Sequence, residues 1–171
     1  LVGAKVGVTG SDFYNYNVIW YENDGSANFT EHTISYLQRT TDVDAVDLDR
    51  DGDPDPVLLD ASGVVHPIEN LQAGQFRPWS AVEVPSPVLA LTLADLNADG
   101  QIDLVTLGAG GEVRRHSWTN DGWSEETVAQ WSSADLPATP GSSRLVVADL
   151  DNNGALDLLA SGGGATRVWL S

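Results

Sequence analysis

The 171-residue sequence contains no cysteine, which excludes disulfides, thiol nucleophiles, zinc–thiolate sites and haem-attachment motifs. Basic residues are also scarce, with 8 Lys and Arg against 25 Asp and Glu and a formal net charge of −17. Binding to nucleic acid depends on neutralising phosphates with cations, so this balance argues against DNA, RNA and anionic membrane surfaces. No apolar run approaches the length of a membrane span, so we expect no membrane insertion. A helical period is also absent.

The sequence instead contains one acidic nine-residue motif three times, at residues 47–55, 95–103 and 149–157. Each copy has an oxygen-bearing side chain at positions 1, 3, 5 and 9, and glycine at position 6 permits a sharp turn. Short carboxylates and amides of this kind surround a hard dication such as Ca²⁺, and the backbone carbonyl of position 7 can add another oxygen. The candidate metal ligands, with position 7 included, are Asp47, Asp49, Asp51, Asp53 and Asp55, then Asp95, Asn97, Asp99, Gln101 and Asp103, then Asp149, Asp151, Asn153, Ala155 and Asp157.

The motif differs from an EF-hand, which closes its cage with a bidentate glutamate at position 12 and lies between helices. Position 12 is occupied here by Leu58, Thr106 and Ala160. The flanking segments are short runs rich in valine and leucine, which are typical of strands. The pattern therefore predicts up to three strand–loop–strand calcium sites, closed by the aspartate at position 9. The alternative is that the loops are only turns, since Asp, Asn and Gly all favour turns.

The motifs are spaced like a structural repeat, because their first residues lie 48 and 54 positions apart. Each unit reads as strand, acidic loop, strand, turn, strand, Asn-Gly-type turn and strand. Four short antiparallel strands in about 50 residues are typical of a β-propeller blade, and a stacked solenoid is the alternative. The predicted third strands end near Asn23, Asn70 and Asn120, and the predicted fourth strands cover residues 30–34, 81–84 and 126–129.

We therefore predict an all-β fold: a β-propeller of four-stranded antiparallel blades, with about 3.4 blades present at this repeat length. Residues 1–171 form one propeller segment, with repeats at about 1–40, 41–86, 87–140 and 141–171, the first and last partial. Closed propellers usually contain about four to eight blades. We expect these residues to be part of a longer chain; alternatively, two copies complete one ring as a homo-oligomer.

The three loops, together with the Val18–Gly25 and Thr33–Ile34 segments, resemble the FG-GAP/VCBS repeat family of calcium-loop propellers, which includes the N-terminal propeller of integrin α chains. The resemblance covers nearly the whole chain and implies a calcium-binding propeller. Such propellers serve adhesion, lectin and enzyme-accessory roles alike. The Phe-Gly and Gly-Ala-Pro signatures of the family are poorly kept. Pro54 and Pro56 make the first loop the one expected to be least regular.

Catalytic residue types are present but are not arranged for catalysis. His32, His66 and His116 lie in separate repeats without metal spacing, and we interpret them as surface or strand histidines. No phosphate-binding loop, zinc-protease motif or nucleophile elbow occurs. Residue types alone leave acid–base catalysis open, but the regularly arranged carboxylates are already assigned to calcium. We expect no active site in this stretch.

The six tryptophans suggest a second type of site. Trp20 and Trp169 occupy equivalent repeat positions and are expected to pack between blades, whereas Trp118, Trp123 and Trp131 lie among polar residues and are candidates for glycan binding. The leading hypothesis is a calcium-stabilised binding, adhesion or assembly module that is secreted and acts outside the cell or on its surface. A periplasmic location is the alternative. The alternatives are an accessory or catalytic domain of a secreted polysaccharide-acting enzyme and a lectin-like module. The protein or glycan partner is not identified by the sequence.

Overall fold

The computed structural model describes residues 2–7, 15–35, 37, 39–132, 134, 136 and 139–171. These residues form four antiparallel sheets and contain no α-helix. None of the described residues forms a helix long and apolar enough to cross a membrane. The strands are β1 (Val2–Gly7), β2 (Asn15–Asn23) and β3 (Phe29–Ser35) in the first sheet; β4 (Thr40–Val46), β5 (Asp55–Asp60), β6 (Val65–Asn70) and β7 (Phe76–Pro78) in the second; β8 (Val88–Ala94), β9 (Asp103–Gly108), β10 (Glu112–Thr119) and β11 (Gly122–Gln130) in the third; and β12 (Arg144–Ala148), β13 (Asp157–Gly162) and β14 (Ala165–Trp169) in the fourth.

Neighbouring sheets pack face to face. Side chains alternate between the two faces of each strand, so a sheet that lies between two others can bury apolar side chains on both faces. In β5, the fully buried Leu58 packs toward the first sheet, in a cluster with Val18. Its neighbours Val57 and Leu59 belong to a different cluster, which includes Leu104 of the third sheet. A continuous apolar run in β5 is therefore explained by burial on both faces of the second sheet.

The third sheet is buried on both faces in the same way. Leu104 of β9 packs toward the second sheet, whereas Val105 and Leu107 pack with Leu145 and Leu158 of the fourth sheet. The strands β1, β4, β8 and β12 contact one another in sequence across the sheet boundaries. This arrangement of short antiparallel sheets confirms the predicted propeller-blade architecture and excludes a solenoid of parallel strands.

Backbone hydrogen bonds also cross the sheet boundaries. The amide of Val88, at the start of the third sheet, donates to the carbonyl of Gly63 at 2.9 Å. The amide of Gly141, ahead of β12, donates to the carbonyl of Leu89 at 2.8 Å. Gly63 has φ +83°, and a Cβ there would lie 2.6 Å from the Cβ of Pro87. Glycine at this turn is therefore required both by its conformation and by the close approach of the next sheet.

One predicted strand is wrong. The fourth strand of the second sheet is β7, at Phe76–Pro78, and not residues 81–84, which form no strand. A tight turn after Asn70 returns the chain at once, so that Asn70 pairs with Phe76 and Ile68 pairs with Pro78. The ladder then ends after the amide of Trp79 donates to the carbonyl of Pro67, because proline has no amide hydrogen to return the bond. The predicted fourth strands at residues 30–34 and 126–129 lie within β3 and β11.

Candidate metal centres

Each acidic loop connects the first two strands of a sheet, and all three fold alike. The carboxylate at position 1 accepts a hydrogen bond from the amide of the glycine at position 6, at 2.8–3.0 Å. The side-chain oxygen at position 3 accepts from the amide of position 5 at 3.1–3.3 Å. The side-chain oxygen at position 5 accepts from the amide of position 7 at 2.7–2.9 Å. The loops are therefore held in shape by their own oxygen atoms.

Two left-handed residues bend each loop. The glycine at position 6 has φ of +98°, +82° and +90° in the three loops. Position 4 is left-handed as well, at Arg50, Ala98 and Asn152, with φ of +66°, +57° and +62°. Only Asn152 belongs to a residue type that favours this region. The recurrence of the strained conformation at Arg50 and Ala98 shows that the loop geometry, and not the local residue preference, decides the backbone here.

The aspartate at position 9 ties the loop to the body of its sheet. Asp55, Asp103 and Asp157 are at most 1 % exposed, and each accepts a hydrogen bond from the amide at position 2 of its own loop, at 2.7–3.2 Å. The second carboxylate oxygen accepts a hydrogen bond from the third strand of the sheet or from the residues just after that strand. The donors are the amide of Asn70 at 2.9 Å in the first loop, the hydroxyl of Ser117 in the second and the amide of Ser171 at 2.8 Å in the third.

These anchoring partners were not predicted from the sequence. Asn70 stood out only as a repeated landmark at the end of a strand, and Ser117 and Ser171 carried no signal. The first loop differs from the other two in one bond, in line with the irregularity expected there. In the second and third loops the amide at position 5 also donates to the carboxylate at position 1, from Asp99 to Asp95 at 3.0 Å and from Asn153 to Asp149 at 3.1 Å, whereas the Oδ1 of Asp47 has no such partner. Pro56 lies just before Val57, where the pairing of β5 with β6 begins. Its missing amide hydrogen therefore leaves that ladder intact.

Two of the three loops bring carboxylates together closely enough to hold a metal ion. In the first loop, ligand oxygens of Asp47, Asp49 and Asp55 all lie within 4.8 Å of one another. In the third loop, Asp149, Asp151 and Asp157 do the same. Both clusters use positions 1, 3 and 9. Oxygen donors from short carboxylates are the ligands that Ca²⁺ and Mg²⁺ prefer.

An orphaned atom in the first loop supports this fit. The Oδ1 of Asp47 is buried and has no hydrogen-bond partner among the described residues. An unpaired buried carboxylate oxygen is costly unless something positive contacts it. Together with the neighbouring Asp49 and Asp55, this oxygen suits a divalent cation.

The remaining predicted ligands are placed differently. The second loop forms no cluster of three carboxylates, because its position 3 is Asn97, whose amide nitrogen donates to the second oxygen of Asp99 at 2.8 Å. The position-5 side chains Asp51, Asp99 and Asn153 each bond the amide two residues ahead and lie outside the two clusters. Of the position-7 residues Asp53, Gln101 and Ala155, only Asp53 has a buried side-chain oxygen, its Oδ2, without a partner.

The pKa values of the carboxylates separate the loops further. Burial raises the pKa of Asp55 to about 6, against hydrogen bonds from the amides of Asn70 and Leu48. Burial also raises the pKa of Asp49 and of Asp103. The pKa of Asp157 is instead lowered, because the hydrogen bonds from the amides of Ser171 and Leu150 outweigh its burial. In the first loop, burial thus disfavours charge on Asp49 and Asp55 unless a cation lies beside them.

The tryptophans fall into three groups. Trp20 lies between the first and second sheets: its ring stacks on His32 at 4.6 Å and borders a cavity of about 320 Å³ together with Phe76. Trp169 of β14 contacts the ring of Trp131 edge to face at 6.3 Å. Trp131 is 5 % exposed, so its predicted role as an exposed glycan ligand is wrong; it fills the space between the third and fourth sheets.

Trp118 and Trp123 are half-buried and form a cluster with Trp79, which the sequence did not single out. Trp79 follows β7, whereas the other two lie on β10 and β11. The cluster therefore spans the second and third sheets.

The architecture, three acidic loops between paired strands of antiparallel blades, defines a propeller-type repeat protein. A family model described as FG-GAP-like repeat matches residues 95–160, which run from the second acidic loop into β13. Over these residues the chain is similar to an FG-GAP-like repeat, which agrees with the FG-GAP part of the resemblance noted in the sequence. No curated protein matches the chain.

Proposed function

We propose that this chain is a calcium-stabilised propeller module that binds a partner and does not catalyse a reaction. The observation that carries the proposal is the convergence of Asp47, Asp49 and Asp55, and of Asp149, Asp151 and Asp157, each set with its oxygens within 4.8 Å. Calcium is the cation of choice because every candidate donor is an oxygen and the loops supply several of them. The FG-GAP-like repeat at residues 95–160 supports the same ligand.

In this proposal, calcium supplies positive charge at the loop, and the residues of the chain do the rest. Positions 1, 3 and 9 would hold the ion, and the buried position-9 aspartate carries its effect to the third strand through Asn70, Ser117 or Ser171. Neutralising a cluster of like charges removes their mutual repulsion, which matters in a chain of net charge −17. The loop would then act as a rigid corner that fixes three strands relative to one another.

A calcium-dependent module of this kind suits the outside of the cell, where calcium is abundant, and we propose an extracellular or cell-surface location. The acidic surface disfavours nucleic acid as a partner. Binding surfaces are available at the sheet boundaries, where residues from two sheets meet.

The test is a thermal melt in millimolar CaCl₂ compared with the same protein in EGTA. Each site occupied at 100 times its dissociation constant adds about 2.7 kcal/mol of stability. Two or three sites should therefore raise the melting temperature by many degrees. Replacing both Asp47 and Asp149 with alanine should abolish most of the rise.

The matched control is the replacement of Asp121 with alanine, since this exposed turn residue lies outside the acidic loops. A protein that melts at the same temperature in both buffers, while folded in each, would reduce the loops to turns and refute the proposal.

A further inference from the structure

We propose that the groove beside Trp118 binds a neutral pyranose residue of a glycan; this rests on the proposed binding function and names its ligand class. The groove lies between the first acidic loop and the end of β10 and has a volume of about 360 Å³. That volume is at the lower end of the range for small-ligand sites, as expected for one sugar ring and its immediate neighbour. Its lining includes Asp49, Arg50, Gln101, Trp118, Thr119 and Asn120.

The indole of Trp118 is held in a fixed orientation by two other tryptophans. Its ring meets the ring of Trp79 edge to face at 5.0 Å and the ring of Trp123 at 5.2 Å. Trp123 is itself fixed, because its indole nitrogen donates to the carbonyl of Ser80 at 3.1 Å. An aromatic surface that is already ordered loses little conformational entropy on binding.

The ring spacing also decides what kind of ligand the cluster can accept. Trp79 and Trp123 are 6.4 Å apart, so the three rings pack against one another and leave no space for a cation between them. A ligand can therefore contact only the part of Trp118 that borders the groove. Stacking on one aromatic surface suits the C–H face of a pyranose ring.

Polar groups surround this aromatic surface on the side of the acidic loops. The side-chain amides of Gln101 and Asn120 are exposed and make no hydrogen bond within the described part of the chain. Arg50 adds a charged donor to the lining, whereas the carboxylate of Asp49, which also borders the groove, is assigned to the calcium site. Each amide offers both a donor and an acceptor, which is the complement that vicinal hydroxyl groups require.

Charge selects a neutral glycan over other ligands with a flat or ring-shaped face. The chain as a whole is strongly acidic, with a formal charge of −17 before any calcium is bound. That field repels uronates, sulfated sugars and nucleotides. A neutral sugar meets no such barrier.

The experiment titrates neutral hexaoses of glucose, mannose, galactose, xylose and N-acetylglucosamine into the protein in CaCl₂, with hexagalacturonate as the anionic comparison. Binding is followed by the shifts of the six tryptophan indole N–H signals in ¹H–¹⁵N spectra. We expect saturable binding of at least one neutral hexaose, with the largest shift at Trp118. Trp118→Ala should weaken binding at least tenfold, and Trp118→Phe should weaken it less.

Gln101→Ala and Asn120→Ala should each weaken binding severalfold, whereas Gln75→Ala, at an exposed amide that does not line the groove, should not change it. The calcium-induced rise in melting temperature is measured for every variant. A normal rise without binding of any neutral hexaose, or with binding that Trp118→Ala leaves unchanged, overturns the glycan site and leaves the proposed calcium module standing. Absence of the rise in the unmodified protein refutes the calcium module itself.

Discussion

The second and third sheets have the same strand order and the same acidic loop, yet they differ at two equivalent places. The second sheet buries the apolar pair Leu58 and Ile68 toward the preceding sheet. The third sheet has Thr106 and His116 at the same repeat positions, and both are buried and hydrogen bonded to each other at 3.0 Å. The loop differs as well, with Asp49 in one and Asn97 in the other. One backbone plan therefore tolerates both an apolar and a polar interior, and two different loop charges.

The largest expected difference between the two sheets is in how their contribution to folding stability changes at acidic pH. Burial lowers the pKa of His116 to about 4; Glu125 opposes this shift and Arg114 adds to it. A histidine with a depressed pKa binds fewer protons in the folded state than in the unfolded state. Its contribution is therefore complete above the unfolded value of 6.5 and is lost as the pH falls from there through about 4. The loss amounts to about 3 kcal/mol.

The test replaces this pair with an apolar one, His116→Leu together with Thr106→Val, in the style of the second sheet. The free energy of unfolding, measured with urea between pH 7 and pH 4, should fall less steeply in the variant than in the unmodified protein. Thr106→Val alone serves as the control, because it keeps the buried histidine. Equal slopes in all three proteins would contradict the buried, neutral His116.

The next largest difference in stability is expected from the turn between the second and third strands of each sheet. The residue before the turn is Asp60 in the second sheet and Gly108 in the third, and each turn closes with a bond to its carbonyl. Burial raises the pKa of Asp60, but hydrogen bonds from Ser62, His66 and Val64 outweigh it and lower the pKa to about 2. A carboxylate with a depressed pKa stabilises the fold above its unfolded value of 3.8, and this contribution is lost as the pH falls through about 2.

Asp60→Asn should therefore cost about 1–2 kcal/mol at pH 7, after allowance for solvent screening. The cost should shrink as the pH approaches 2. Urea denaturation at pH 7 and pH 3 measures both values, with Asp121→Asn as an exposed control. A cost that does not change with pH would assign the effect to side-chain shape and not to charge.

The loops themselves should differ in calcium affinity because of position 3. Asp49→Asn gives the first loop the residue of the second, and Asn97→Asp does the reverse. Ligand charge is one of the factors that set calcium affinity, so we expect changes of about tenfold in opposite directions, or about 1.4 kcal/mol each. Isothermal titration with CaCl₂ measures both. If both substitutions changed the affinity in the same direction, the charge difference would not be what separates the loops.

The smallest expected effect concerns the contact between the two loops. The guanidinium of Arg50 in the first loop donates a hydrogen bond to the carbonyl of Gly100 in the second. Because Arg50 is exposed, Arg50→Gln should cost less than about 1 kcal/mol of stability. It should nevertheless make calcium binding at the first loop more independent of calcium binding at the second. Calcium titrations of this variant and of Arg144→Gln, which removes the same charge beside Asp42 and outside the acidic loops, distinguish coupling from a general charge effect.

The repeat could be predicted from the sequence because its information is local. The motif at residues 47–55 combines glycine and regularly spaced oxygen donors, and the apolar runs beside it are short and rich in valine and leucine. These patterns predicted the loops, the strands that flank them and the all-β class. The propeller then followed from the spacing of the motifs.

Features that depend on the next sheet were not predictable in this way. The burial of His116 and Trp131 is decided by residues far along the chain, and neither residue differs locally from an exposed one. The end of β7 depends on Pro67, which lies on the strand opposite. The left-handed backbone at Arg50 and Ala98 is likewise imposed by the loop as a whole, because neither residue type favours it.

The backbone bonds from Val88 to Gly63 and from Gly141 to Leu89 have a consequence for how the protein opens. Each of these amides belongs to one blade or the segment leading into it, but its acceptor belongs to the neighbour. Deuterium can replace the amide hydrogen only when the two neighbours part. The exchange rates of Val88 and Gly141 therefore report the separation of adjacent blades, independently of any fraying inside a blade.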